Sequence, residues 1–136
     1  MKIKKGFTLI ELLVTTTVIL LLTSIAIVSY ASASKRSRDN KRISDLETIR
    51  SALEIYRSDI GLYPASLNDL TEDSTYINEI PTDPKPNNYI YFYSSSDPFS
   101  YTLCAYIESD DLNALNDGCG SNLCGDATCT YRMSPP

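Results

Sequence analysis

Hydrophobic and polar positions divide the chain into three stretches with different periods. From Leu12 to Ser34 there are 23 residues without a formal charge, most of them Leu, Ile, Val, Ala or Thr. Such a run is long enough to span a bilayer, which takes about 20 residues at about 1.5 Å rise each. From Ile43 the apolar positions thin to a stripe, Ile43, Leu46, Ile49, Leu53, Tyr56 and Ile60, recurring every three or four residues on one helical face. Asp45, Glu47, Arg50, Glu54 and Arg57 lie off that face, with Arg50 and Glu54 spaced i,i+4. No proline precedes Pro64, and Gly61 is a stop signal. The pattern predicts one helix from Phe7 to about Ser58, 52 residues and roughly 78 Å long. The alternative is two helices broken near Ser29–Ser37, where small polar residues accumulate.

Beyond Gly61 the period changes. Leu62-Tyr63-Pro64 opens a turn, and Ser66 to Leu70 reads as a short helix or turn. Tyr76 to Pro84 is loop-like, because Pro81, Pro84 and Pro86 deny that region a central strand. Tyr89 to Tyr93 alternates tyrosines against Ile90 and Phe92, and Tyr101 to Ile107 alternates again, so both read as strands around a hairpin loop at Ser94–Phe99. A third strand is expected from Thr128 to about Met133. The tyrosines at 89, 91 and 93 suit packing better than a sugar- or surface-binding face. The expected fold class is α+β: a long N-terminal helix, half membrane-spanning and half amphipathic, covered by a small antiparallel β-sheet head. The corresponding divisions are 7–34, 35–60 and 61–136, after a short leader at 1–6.

The ends of the apolar run sharpen this picture. Lys2, Lys4 and Lys5 precede Gly6-Phe7-Thr8-Leu9-Ile10-Glu11, and after them only Glu11 is charged until Lys35. The run exceeds the roughly 7–15 residues of an ordinary signal-peptide core, and no small-x-small cleavage site followed by a soluble start closes it. An ionised carboxylate in a membrane helix costs a few kcal/mol, about 2.5–3.5 at the centre by insertion scales, so such a group is kept for a partner or a pathway. Counting basic residues does not fix orientation, since Lys35, Arg36, Arg38, Lys41 and Arg42 lie just after the span. That second cluster is placed to touch lipid headgroups or to offset acidic heads.

Composition removes several functions. The chain has no histidine, which excludes Ser-His-Asp and Cys-His catalysis and histidine-based zinc sites. Removing residues 1–6 takes three of the 12 basic residues and leaves nine against 17 acidic, a balance of −8. Nucleic acid is therefore not an expected partner. The four cysteines, Cys104, Cys119, Cys124 and Cys129, have gaps of 14, 4 and 4 residues with no C-x-x-C. In a small exported head they read as two disulfides, the rival being a four-cysteine metal site. Four cysteines allow three pairings. Cys104–Cys119 with Cys124–Cys129 is favoured, because each bridge then closes a short local loop. In the chain-entropy model a loop of about 15 residues is worth roughly 3 kcal/mol. Asp110, Asp111 and Asp117 offer oxygen ligands for calcium, but their spacing is not an EF-hand and a solvated acidic loop is the alternative. No cofactor is required by the rest of the sequence.

Basic leader, Gly6, Phe7-Thr8-Leu9-Ile10-Glu11 and apolar run together resemble the class III signal of type IV pilins and type II secretion pseudopilins. The resemblance implies cleavage after Gly6 by a prepilin peptidase, N-methylation of Phe7, and a Glu11 that faces the N-terminal amine of a neighbouring subunit in a filament. Tyr56, Asp59, Gly61, Tyr63-Pro64, Leu67, Leu70, Tyr76, Ile80-Pro81, Asp83-Pro84 and Tyr89-Ile90-Tyr91 resemble the major pseudopilin family, in which they open a three-stranded antiparallel sheet lying on the helix. That family implies a pilin fold, self-assembly with filament machinery in the cytoplasmic membrane, and a head outside it with the N-terminus inside. The chain departs from the family in carrying Val28 where a proline is common and Leu20 where a glycine is common, and in ending in a cysteine-rich segment where the family binds calcium. The expected function is a non-enzymatic structural subunit of a type II secretion pseudopilus or type IV pilus. The alternative is a membrane-anchored surface binding module that does not assemble.

Overall fold

The computed structural model describes residues 6–72, 75–109 and 119–135. Helix α1 runs Leu9–Ile60, 52 residues without a break at Ser29–Ser37. It begins two residues later than the sequence pattern suggests and ends two residues later. Gly61 stops it as expected, with φ +88° and its amide donating to the Arg57 carbonyl at 2.8 Å. A 3-10 turn follows at Leu67–Leu70. Ser66 caps it: its hydroxyl accepts from the Asn68 amide, while the Asp69 carboxylate accepts from the Ser66 amide.

The sheet is antiparallel in the order β1-β2-β3, with β1 at Phe92–Asp97, β2 at Ser100–Ala105 and β3 at Tyr131–Met133. Two expectations need correction here. The first strand lies further along than Tyr89–Tyr93, and the hairpin loop is not Ser94–Phe99 but the reversal at Pro98-Phe99. Ser94 pairs with Thr102 in the ladder, and an irregularity between Ser94 and Asp97 absorbs the intervening serines. Asp97 then closes the turn by accepting the Phe99 amide on its carboxylate at 3.0 Å. Tyr89 instead bridges Gly125, and the Ile90 amide donates to the Cys124 carbonyl, so this part of the chain pairs with the C-terminal segment rather than with β2. The third strand is shorter than Thr128–Met133 for a related reason, since Thr128 bridges Leu123 in a local loop.

Lys35–Pro136 forms a compact unit with its own core. Leu46, Ile49, Ala52 and Leu53 of α1 are buried against Tyr63, Leu70, Tyr101, Leu103, Ala105 and Met133. Ile60, the last position of the sequence stripe, is exposed. Tyr91 and Tyr93 pack against this core with their hydroxyls donating to Asp45 at 2.8 Å and to the Pro64 carbonyl at 2.7 Å, and Tyr89 stacks on Tyr106. The tyrosines thus serve packing. Phe92 and Tyr106 pack against a second cluster, made of the cysteines. Disulfides join Cys104 to Cys119 and Cys124 to Cys129. Asp110, Asp111 and Asp117 lie outside the described residues.

Candidate functional site

Met1–Ser34 is the other unit. Its helix starts on a reciprocal cap. The Thr8 amide and hydroxyl both donate to Glu11 Oε2, at 2.9 and 2.7 Å, and the Glu11 amide donates to Thr8 Oγ1 at 3.3 Å. Thr8-Leu9-Ile10-Glu11 therefore satisfies orphan donors of the first turn and holds a carboxylate at the positive end of the helix dipole. Phe7 is 90 % exposed, and a Cβ added at Gly6 would meet nothing within 4 Å.

The apolar half also satisfies its own hydroxyls. Thr15, Thr16 and Thr17 donate to the carbonyls of Leu12, Leu13 and Val14, Thr23 to Ile19 and Leu20, and Ser24 to Leu21. These bonds leave the outer surface apolar in spite of the hydroxyl count. Leu9, Ile10, Leu12, Leu13, Ile19, Leu22, Ile25 and Ile27 are all exposed, on a helix long and apolar enough to cross a membrane. A surface of this kind is covered by lipid or by other apolar helices.

In the second unit the structure builds a buried charge cluster. Arg42 is wholly buried. Its Nε and Nη2 donate to the two oxygens of Asp83 at 2.7 and 3.0 Å, and Nη1 donates to Asp39 at 2.8 Å and to Glu108 at 3.0 Å. Arg38 donates twice to Glu108, and Lys85 donates once. Asp39 accepts the Glu108 and Ser109 amides and the Ser109 hydroxyl. Burial disfavours the Arg42 charge, but Asp83, Asp39 and Glu108 outweigh it and hold the guanidinium above its usual pKa. Bonds from Arg38, then Lys85 and Arg42, hold Glu108 well below the usual carboxylate range against the opposing effect of burial. The cluster takes in part of the basic stretch at 35–42, for which the sequence left headgroup contact and the offsetting of acidic heads both open. Arg38, Lys41 and Arg42 form ion pairs with carboxylates of the same chain.

A pH dependence follows. Glu108 has a folded-state pKa below its unfolded value of about 4.3, so its stabilisation is present above that value and is lost as pH falls below it. The urea midpoint of the full chain in detergent is expected to drop between about pH 5 and pH 3. Glu108→Gln should flatten that part of the profile, and an unchanged slope in the variant would contradict the assignment.

Of the residues singled out from sequence, Gly6, Phe7 and Glu11 lie at the helix start, and the four cysteines form two disulfides, with Cys104 in β2. Thr8 was missed although the T-x-x-E pattern was there to be read. Asp39 and Arg42 continue the spacing of Leu46, Ile49 and Leu53 by about two turns, but as charged residues they do not register in a hydrophobic stripe. Nothing local marks Asp83 and Glu108 as their partners.

Comparison with known proteins bears on both units. Residues 1–27 match the prokaryotic N-terminal methylation motif, and residues 29–116 match the family of type II secretion system (T2SS) protein G. The chain belongs to the T2SS protein G family. Type II secretion system core protein G of Escherichia coli K12 is 28% identical over 102 residues, covering 64% of this chain and 70% of that protein. The Vibrio cholerae protein of the same name is 28% identical over 89 residues, covering 65% and 58%. That of Aeromonas hydrophila is 25% identical over 127 residues, covering 79% and 89%. The chain thus spans between about half and nine-tenths of the length of the protein G relatives it matches. No solved structure matches it significantly.

Proposed function

We infer that this chain is a structural subunit of a type II secretion pseudopilus, processed at Gly6–Phe7 and assembled through its apolar helix half. The observation that carries the reading is the pairing of a Thr8-capped Glu11 with an apolar helical surface left uncovered within its unit. An anchor that merely held a binding head would need no carboxylate in this run, whereas a filament contact gives Glu11 a cationic partner in the amine of Phe7 on the next copy. The partners are other copies of the chain, a prepilin peptidase and the assembly machinery of the membrane. No catalytic role is assigned. The N-terminus faces the cytoplasm and the head lies outside the membrane, a reading supported by the two disulfides, which belong to an oxidising compartment.

Processing provides the direct test. Protein recovered from cells containing a prepilin peptidase is expected to lack Met1–Gly6 and to carry one added methyl group on Phe7 by intact mass. A bulky residue at Gly6 should block the cut. Full retention of Met1–Gly6 in the presence of the peptidase would refute the reading.

A further inference from the structure

We propose that the Cys124–Cys129 disulfide is a redox-dependent clamp on the segment Asp83–Tyr91, and through it on the partners of Arg42. Side chains tie the segment to Arg42, Glu108 and Asp45, but its backbone has little of its own to hold it. Pro84 and Pro86 lack amide donors, and the Asn88 and Tyr89 amides donate locally to the Lys85 carbonyl. Among the described residues, its cross-chain backbone bonds all run to the disulfide loop: the Ile90 amide donates to the Cys124 carbonyl at 3.2 Å, and the Asp126 amide donates to the Asn88 carbonyl at 2.9 Å. The Asn88 side chain adds a bond to the Asp126 carboxylate at 3.3 Å.

The loop is shaped for this contact. Cys124 donates its amide to the Ala127 carbonyl and Cys129 donates to Asn122, so the disulfide closes a turn that is already folded back on itself. Gly125 at its tip has φ +86°, and a Cβ there would sit 2.3 Å from the Asn88 carbonyl oxygen. Only glycine allows the two backbones to approach so closely. Asp83 and Lys85, at the other end of the clamped segment, are the residues that reach Arg42 and Glu108.

Closure of the clamp is a thiol–disulfide exchange. The Cys124 and Cys129 thiols give up two protons and two electrons to an acceptor disulfide, which leaves as a dithiol. Dithiothreitol drives the reverse reaction, reducing the bond and leaving as its own cyclic disulfide. The main core contains none of the four cysteines, so opening the clamp releases the segment without dismantling the packing of α1 on the sheet.

Hydrogen exchange with peptide-level mass spectrometry on the full chain in detergent micelles tests this independently of filament assembly. Compared with the oxidised protein, the double variant Cys124→Ser/Cys129→Ser is expected to exchange about tenfold or more faster across residues 83–91. Residues 46–56 of α1 should keep their protection. Gly125→Ala, with the disulfide intact, should produce the same local loss because it prevents docking. Undiminished protection of 83–91 in the double variant would overturn the proposal. So would loss of protection in 46–56 together with 83–91 in both variants, which would make the bridge a staple of the whole head.

Discussion

Replacing Arg42 by alanine is expected to destabilise the folded head by about 3–5 kcal/mol, the usual consequence of removing one partner from a buried ion cluster. A domain of ordinary stability has only about 5–15 kcal/mol in total, so the variant should be close to unfolding at room temperature. The cause is not the loss of attraction alone. Asp39 and Asp83 are buried, and Glu108 is nearly so, with a side chain 8% exposed. Without the guanidinium their charges stay in a poorly solvating site, with Arg38 and Lys85 still paired to Glu108. Arg42→Lys should recover part of the loss. An ammonium keeps the charge but cannot hold both oxygens of Asp83 while donating to Asp39 and Glu108, as the planar guanidinium does. It also forfeits the position over the Tyr89 ring, where the guanidinium carbon lies 5.2 Å from the centroid. Urea unfolding of the full chain in detergent, followed by tyrosine fluorescence, measures the effect. A shift below about 1 kcal/mol for Arg42→Ala would place the cluster among solvent-screened surface pairs.

This cluster marks the limit of what the sequence could disclose. The uncharged run, the helical period and the glycine stop located α1, its core face at Leu46, Ile49 and Leu53, and its end at Gly61, because those features depend on residues close in sequence. The hairpin was displaced because three consecutive serines imitate a turn while the residue that closes it, Asp97, stands just beyond them. Arg42 and Asp83 are 41 residues apart, and Arg38 and Glu108 are 70 apart. No local period connects such residues, so burial of their charges becomes visible only when the head is folded. The N-terminal motif is the opposite case. Its residues are neighbours in sequence, so the motif that residues 1–27 match could be read from order and spacing, apart from the reciprocal role of Thr8.

Glu11→Leu is expected to leave the chain in the membrane and to abolish filaments or reduce them severely. Before assembly the carboxylate is already provided for, since the Thr8 amide and hydroxyl both donate to it and the helix N-terminus favours negative charge. Leucine removes these bonds but makes the span more apolar, so insertion gains rather than suffers. On the proposed function, what the substitution takes away is the anionic partner for the amine of Phe7 on a neighbouring copy, an attraction that the low dielectric around packed apolar helices would strengthen. A loss of only about 1.4 kcal/mol in one contact lowers its association constant about tenfold, and a filament repeats the contact at every subunit. Glu11→Gln separates the two duties of the side chain: the amide oxygen still accepts from Thr8, but the charge is gone, so its filaments should be as scarce as those of Glu11→Leu. Thr8→Val removes the hydroxyl bond and leaves both the Thr8-position amide and the Glu11 charge, and should lower filament number less than either. Counting filaments by electron microscopy, with membrane fractionation as the control for insertion, distinguishes these outcomes. Normal filament numbers with Glu11→Gln would mean that hydrogen bonding at the helix cap, and not charge pairing between subunits, is what assembly requires of this residue.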